Sequence, residues 1–195
     1  LGMAYWAKNN SPVAIKYFQK ANFMNRNYTQ PLVNLAGVYE QLGDKQKQFY
    51  YLQKAIKYNT NDYLAYYKLG EYYKKEGFYP QAITNYKEAV KINPKYSPAY
   101  MSLAVSFFET EEFNYALISL NQYLELCPDS DYAYYLMART SLAMCRYADA
   151  KTYIERAIEI CNKEEYQFEL GKIEYYLEDY KASLDIFQNL LATQD

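Results

Sequence analysis

Hydrophobic and polar positions along this chain recur with a period of 34 residues. Pro94 and Pro128 lie 34 residues apart, and the segments before them match in residue size at nearly every position. Within each segment, apolar residues recur at steps of three and four, as in amphipathic helices, and turn residues separate two such stretches. A period of this length predicts a stacked array of helix pairs rather than one globular core.

The clearest repeat predicts two helices and the turn between them. The first helix is expected from Tyr63 to Glu76, the turn at Gly77, and the second helix from Tyr79 to Ile92, where Pro94 ends it. The same alternation of helix and turn signals extends over the rest of the chain, so we expect every repeat to be a helix pair.

Two serine–proline pairs predict further helix starts. Ser11 precedes Pro12, and Ser97 precedes Pro98. A serine side chain accepts a hydrogen bond from the first helical turn, and proline suits the first helical position because it has no N–H to leave unpaired. We therefore expect Ser11 and Ser97 to be N-caps.

The framework residues of these repeats resemble the tetratricopeptide repeat over nearly the whole chain. In the clearest repeat the matching residues are Tyr66, Leu69, Gly70, Tyr73, Gly77, Tyr79, Ala82, Tyr86, Ala89 and Pro94. The resemblance implies an all-α fold, a right-handed superhelical solenoid of antiparallel helix pairs. It also implies a single array over residues 1–195, with approximate repeats at residues 1–28 (truncated), 29–62, 63–96, 97–130, 131–163 and 164–195.

The two ends of the array lack the polar capping helices that such arrays normally carry. The first repeat begins inside a helix, and the last ends with a group of apolar residues: Leu184, Phe187, Leu190 and Leu191. We therefore expect the chain to be a fragment of a longer protein. A contact between copies through the uncapped ends is the alternative.

The resemblance also implies a concave binding groove lined by the first helix of each repeat. The fifth repeat positions are Val33, Tyr67, Met101, Tyr135 and Phe168. The ninth are Met3, Gly37, Glu71, Val105, Arg139 and Lys172, and the twelfth are Trp6, Glu40, Lys74, Phe108, Leu142 and Tyr175. Such a groove is apolar and aromatic with isolated charges, which suits an amphipathic helix or an extended peptide with apolar anchors. Packing of some of these side chains on the chain's own helices is the alternative.

Chaperone-binding members of the family hold a terminal carboxylate with Lys, Asn and Arg at such positions. Val33, Gly37 and Tyr67 depart from that set, so a carboxylate clamp is not expected.

Charge divides the chain into a basic and an acidic half. Residues 1–96 carry 14 Lys and Arg against 6 Asp and Glu, a net of +8, and residues 97–195 carry 7 against 17, a net of −10. The basic half predicts an acidic partner surface. Nucleic acid is not expected as a partner, because the basic residues are scattered and the acidic half repels phosphate.

Residues for catalysis are missing from the sequence. It has no histidine, which removes the commonest general base and the usual zinc ligand. No glycine-rich phosphate loop, paired metal ligands or nucleophile elbow occurs, so we predict no enzyme activity, no cofactor and no metal. No apolar stretch approaches the roughly 20 residues of a membrane span.

The cysteines Cys127, Cys145 and Cys161 are odd in number and show no CxxC spacing. We expect reduced, buried thiols, which is consistent with a cytoplasmic location. A periplasmic location stays open, because the first residue is not a natural start.

These patterns predict a protein-interaction scaffold that binds a partner segment in an apolar and aromatic groove and assembles a multi-protein complex. Family resemblance suggests bacterial cell-envelope, secretion or motility machinery. The alternatives are a regulatory or targeting domain of a larger enzyme or transport protein, and an RNA-associated scaffold.

Overall fold

A computed structural model describes residues 1–192, and within that range all regular structure is helical. The helices are α1 (Gly2–Ala7), α2 (Ser11–Met24), α3 (Gln30–Gln41), α4 (Lys45–Tyr58), α5 (Tyr63–Lys75), α6 (Tyr79–Ile92), α7 (Ser97–Glu109), α8 (Phe113–Leu126), α9 (Asp131–Ala143), α10 (Tyr147–Ile160), α11 (Glu164–Tyr176) and α12 (Tyr180–Ala192). They form two compact units: unit 1 is Leu1–Ala99 and unit 2 is Tyr100–Asp195.

Each unit is a stack of helix pairs. In unit 1, α1 packs on α2, α3 on α4 and α5 on α6, and each pair packs on the next through α2–α3 and α4–α5. In unit 2, α9 packs on α10 and α11 on α12, with α8–α9 and α10–α11 as the contacts between pairs. First helices of neighbouring pairs also touch, α3 with α5 and α9 with α11. The predicted all-α fold of antiparallel helix pairs is confirmed, whereas the single array over residues 1–195 stays a prediction.

The helix limits in the clearest repeat are confirmed to within one residue, but the predicted N-caps are wrong. Asn10 caps α2, because its side-chain oxygen accepts a hydrogen bond from the Val13 amide at 3.4 Å. Ser11 is already helical, and α7 likewise begins at Ser97 itself. Asparagine caps as well as serine does, so the Ser11–Pro12 pair can move one position into the helix.

The turn within every helix pair contains one residue in the left-handed backbone region. These residues recur at the repeat period and have φ values between 55° and 77°: Asn9, Gly43, Gly77, Glu111, Cys145 and Glu178. Glycine adopts this conformation without cost, whereas a Cβ atom crowds the following carbonyl. Glu111, Cys145 and Glu178 therefore keep a strained backbone that the surrounding helices impose.

Relief of that strain should stabilise the protein. We expect Glu111→Gly to raise the free energy of unfolding by about 0.5–1 kcal/mol, because φ is 60° at this position. Glu155→Gly is the matched control: it lies on an exposed face in the interior of α10 and should lower the same quantity by about 1 kcal/mol. Urea denaturation measures both, and a Glu111→Gly variant less stable than the wild type would contradict this account of the turn.

A second periodic feature is the size match between the two helices of each pair. Where the first helix has glycine, the second presents an aromatic ring, as in Gly2–Phe18, Gly70–Tyr86 and Gly171–Phe187. Where the first helix has alanine, the residue in the same core cluster is aliphatic: Ala36–Leu52, Ala104–Leu120 and Ala138–Ile154. Close packing explains this size match, because a smaller residue on the first helix leaves space that a larger residue on the second helix must fill.

The cysteines depart from the prediction of buried thiols. All are free, but Cys145 and Cys161 are exposed and Cys127 is partly exposed. Their positions explain this: Cys127 and Cys161 follow the last residues of α8 and α10, and Cys145 lies in a turn.

Within the described part of the chain, no helix is long and apolar enough to cross a membrane.

Candidate functional site

In unit 1, residues from α1 and α3 line an open cavity of about 520 Å³. Met3, Trp6, Gly37 and Glu40, all predicted groove positions, lie together there. The Trp6 indole occupies the space that a side chain at position 37 would need, since a Cβ on Gly37 would lie 2.6 Å from the ring. Sequence positions about 31 residues apart thus meet on one surface because α1 and α3 are first helices of successive pairs.

Trp6 is held in place by a hydrogen bond and a ring contact. Its Nε1–H donates a hydrogen bond of 2.7 Å to Oε1 of Gln41, and its ring meets Phe18 edge to face with centroids 6.2 Å apart. An indole fixed on one side and open to the cavity on the other offers a rigid aromatic contact to a partner.

The charged residues at groove positions of unit 1 form ion pairs and hydrogen bonds with other side chains of the same unit. Glu40 forms an ion pair with Lys75 of α5. Glu71 accepts hydrogen bonds from Nζ of Lys74 at 2.8 Å and from the Tyr86 hydroxyl at 2.5 Å. These carboxylates therefore contribute to the packing of α3, α5 and α6 as well as to the surface.

Tyr67 belongs to a cluster of tyrosines at the end of unit 1. Its ring centroid lies 5.0 Å from that of Tyr96 and 5.8 Å from that of Tyr86, and Tyr63 lies 5.0 Å from Tyr96. Burial, with smaller effects from Tyr67, Tyr63 and Glu71, raises the pKa of Tyr96 to about 12. Tyr67 is half-buried, so only part of its ring is open to a partner.

In unit 2, a second open cavity of about 430 Å³ lies beside α9 and α11. Its lining includes four predicted groove residues, Phe108, Arg139, Leu142 and Lys172. The other lining residues are Ala143, Cys145, Tyr147, Glu169 and Tyr176. Tyr147 and Tyr176 stack in parallel with their centroids 5.2 Å apart, which makes one wall of the cavity aromatic.

Arg139 is the exposed cation of this cavity. Its guanidinium carbon lies 5.2 Å from the ring centroid of Phe108 and 5.7 Å from that of Tyr135, within cation–π range. The ion pairs described in unit 2 use basic residues other than Arg139, among them Lys172, which pairs with the buried Glu169 at 3.0 Å. The edge of the Arg139 guanidinium is thus available to donate hydrogen bonds to an anionic group next to apolar surface.

Comparison with known families agrees with this geometry. A tetratricopeptide repeat model matches residues 29–62 and 131–164, and a second model, described as TPR repeat, matches residues 71–111. This chain belongs to the tetratricopeptide repeat family. No curated protein sequence matches it.

Several solved structures share the tetratricopeptide fold of the chain. MamA residues 41–end from Desulfovibrio magneticus RS-1 is 18% identical with a TM-score of 0.79, over 85% of this chain and 94% of that one. YrrB, a TPR protein with an unusual peptide-binding site, is 18% identical with a TM-score of 0.81, over 91% and 92%. PilW, a widely conserved type IV pilus biogenesis factor, is 16% identical with a TM-score of 0.77, over 98% and 89%.

Two predicted groove residues of this tetratricopeptide chain are core residues. Val33 is 6% exposed and packs in the core of unit 1. Tyr135 is 5% exposed, stacks on Tyr166 at 4.8 Å, and donates a 2.6 Å hydrogen bond from its hydroxyl to Glu165. Burial, followed by that hydrogen bond, raises the pKa of Tyr135. Packing against the neighbouring repeat thus covers both side chains and leaves little of either exposed.

The remaining predicted residues do not share either cavity. Met101 and Val105 are partly buried and pack against the core of unit 2. Tyr175 is exposed and meets Tyr180 at 5.5 Å. Phe168 is exposed but lines a different cavity, between α11 and α12.

The structure adds lining residues that the sequence-based set missed, among them Gln41, Tyr147 and Tyr176. Gln41 and Tyr176 occupy the thirteenth repeat position, which the family pattern also assigns to the groove. Their place in the groove could therefore be predicted from the repeat alignment. Tyr147 begins a second helix, and no repeat position assigned to the groove corresponds to it.

Proposed function

We propose that this chain is a protein-interaction scaffold that binds a partner segment on the first-helix surfaces of its repeats. The observation that carries the proposal is the grouping of predicted groove positions around one open cavity in each unit. In unit 1 the cavity presents Met3 and Trp6, and in unit 2 it presents Phe108 and an exposed Arg139. Rigid aromatic rings and arginine are the residue types that dominate binding energy at protein interfaces.

The chemistry of the two cavities describes the partner. Apolar lining in both favours a segment with exposed hydrophobic anchors, such as an amphipathic helix or an extended peptide. The cation in the second cavity favours an acidic side chain next to one of those anchors. Catalytic groups play no part in this proposal, and among residues 1–192 no cluster of metal-ligating side chains is found.

We also propose that the complex so assembled serves a bacterial envelope, secretion or motility machine. The support is that PilW, a type IV pilus biogenesis factor, has the same fold. Cross-linking in the cells that make the protein, followed by mass spectrometry, identifies the assembly. Cross-links to soluble enzymes alone would contradict this context.

The binding proposal predicts a strong effect of Arg139→Glu. A phage library of random 16-residue peptides is selected on the immobilised chain, and the affinity of the enriched peptides is measured by fluorescence anisotropy. We expect peptides with apolar residues beside Asp or Glu, and a Kd at least about tenfold higher for Arg139→Glu, because a charge-assisted contact becomes a repulsion.

The matched controls keep the fold and change one surface at a time. Lys181→Glu reverses a charge on the exposed face of α12, away from the cavity, and should leave the Kd unchanged. Met3→Glu places a charge in the cavity of unit 1 and should weaken peptides that bind there. Enrichment of no peptide, or equal affinity for all three variants, contradicts the proposal.

A further inference from the structure

The second helices α4 and α6 of unit 1 carry a dense group of lysines. In α4, exposed residues recur at steps of three and four along one side of the helix: Gln46, Tyr50, Gln53 and Lys57. This exposed side takes no part in the stacking of one helix pair on the next, which uses α2–α3 and α4–α5. We call it, with the matching side of α6, the outer face; its lysines, all exposed or half-buried, are Lys45, Lys47, Lys54, Lys57, Lys87 and Lys91.

Acidic residues are almost absent from these two helices. Helix α4 contains none, and Glu88 is the one carboxylate of α6. The other carboxylates of unit 1 lie on first helices or between helices: Glu40, Asp44, Asp62, Glu71 and Glu76. Lysines are thus concentrated on the second helices, which gives the outer face a positive potential.

Ion pairs neutralise only part of this charge. Three lysines of the outer face are paired, in Lys45–Glu76, Lys47–Asp44 and Lys91–Glu88. The ion pairs described in unit 1 include neither Lys54 nor Lys57. A concentrated positive charge therefore remains on the exposed side of α4.

The stability of the helices does not explain where the lysines lie. A cation stabilises the last turn of a helix and destabilises the first turn, because of the helix dipole. Lys57 and Lys91 lie in last turns, as this effect favours, but Lys45 and Lys47 lie in the first turn of α4. The lysines follow the whole length of the surface, so we look for their partner outside the helix.

An exposed tyrosine lies among the lysines of α4. The Tyr50 side chain is 54% exposed, and its ring centroid lies 5.4 Å from Nζ of Lys54 and 5.1 Å from the ring centroid of Tyr51. Tyrosine concentrates where lipid meets water, because its ring is apolar and its hydroxyl is polar. Lysine behaves similarly, since its methylene stem lies along apolar surface while the ammonium reaches the polar headgroups.

We propose that the outer face of unit 1 binds the surface of a membrane that contains anionic phospholipids. The charges are complementary, and the attraction of each lysine to acidic headgroups adds to that of the others. Every cation of the outer face is a lysine. Arginine is the residue that grips one fixed carboxylate or phosphate with two parallel hydrogen bonds, whereas lysine acts as a point charge on a flexible stem, which suits mobile headgroups.

The second helices of unit 2 do not share this property. Together α8, α10 and α12 carry more carboxylates than cations: Glu125, Asp149, Glu155, Glu159 and Asp185 against Lys151, Arg156 and Lys181. Anionic lipid would repel such a surface. Membrane binding is therefore assigned to unit 1, and it uses neither of the two cavities proposed to bind peptides.

Co-sedimentation with lipid vesicles tests the proposal. We expect the chain to bind phosphatidylcholine vesicles that contain about 30% phosphatidylserine, and to lose that binding as salt screens the charges. Vesicles of phosphatidylcholine alone should not bind it. Lys54→Glu/Lys57→Glu should raise the apparent Kd at least about 30-fold, because two attractive charges become repulsive. Circular dichroism verifies that the variant folds.

Two control variants separate the outer face from net charge. Lys8→Glu/Lys181→Glu makes the same change in net charge at exposed positions outside α4 and α6, and should bind the vesicles like the wild type. Lys54→Arg/Lys57→Arg keeps the positive charges of the outer face and should also retain binding.

Three results would overturn the proposal. They are no binding to the phosphatidylserine vesicles at low salt, equal binding to both lipid compositions, and equal weakening by Lys8→Glu/Lys181→Glu. A chain that ignores the vesicles but binds polyglutamate, and loses that binding in Lys54→Glu/Lys57→Glu, would assign the outer face to an acidic protein instead of a lipid surface.

Discussion

Gly70→Leu is expected to lower the free energy of unfolding by about 2–3 kcal/mol. Even a Cβ atom at this position would lie 2.5 Å from Cε1 of Tyr86. The Tyr86 ring cannot move aside, because it is fully buried and its hydroxyl donates a 2.5 Å hydrogen bond to Glu71. A larger side chain therefore separates α5 from α6 or displaces a buried ring.

A double-mutant cycle tests the stated cause. Gly70→Ala overlaps with Tyr86, and Tyr86→Leu leaves a void, but the double variant recreates the alanine–leucine match of Ala36 and Leu52. We expect the double variant to be more stable than the sum of the single effects by about 1 kcal/mol or more. Urea denaturation gives the four free energies. Additive effects would show that the two residues do not share the same space.

Tyr135→Glu is expected to lower the free energy of unfolding by about 3 kcal/mol or more. The substitution removes a ring that stacks on Tyr166 at 4.8 Å and places a carboxylate at a site that is 5% exposed. Glu165 accepts a 2.6 Å hydrogen bond from the Tyr135 hydroxyl, and in the variant it would face a second negative charge instead. Thermal denaturation of the two proteins measures the loss.

Tyr135→Phe is the matched control for this prediction. It keeps the stacked ring and removes only the hydrogen bond to Glu165, so we expect a loss of about 1 kcal/mol. If Tyr135→Glu were as stable as Tyr135→Phe, the side chain would have to be open to solvent.

Local patterns were sufficient for the helices and for the way they repeat. The stretch from Tyr79 to Ile92 begins and ends as predicted, because apolar spacing, a proline near its start and a proline after its end all act within a few residues. The N-caps predicted at Ser11 and Ser97 failed by one residue. At Ser11 the reason is that the neighbouring Asn10 side chain accepts the hydrogen bond from the Val13 amide.

The sequence indicates which residues lie on the first helices but not which of them stay exposed. Met3, Trp6, Arg139 and Leu142 line open cavities, and the binding groove itself stays a prediction. Tyr135 occupies an equivalent first-helix position, yet it is buried beneath Tyr166 of the next repeat. The difference depends on the size and direction of a side chain 31 positions further along the chain, which no local pattern contains.

The amino-acid sequence by itself determined the repeat period, the helix pairs and the opposite charges of the two halves, because these depend on residue type and spacing alone. Tertiary structure decided which glycines pack against aromatic rings and which apolar side chains stay exposed. It also imposed a left-handed backbone on Glu111 and Cys145. Those outcomes arise where helices distant in sequence compete for the same space, so packing between repeats determines them.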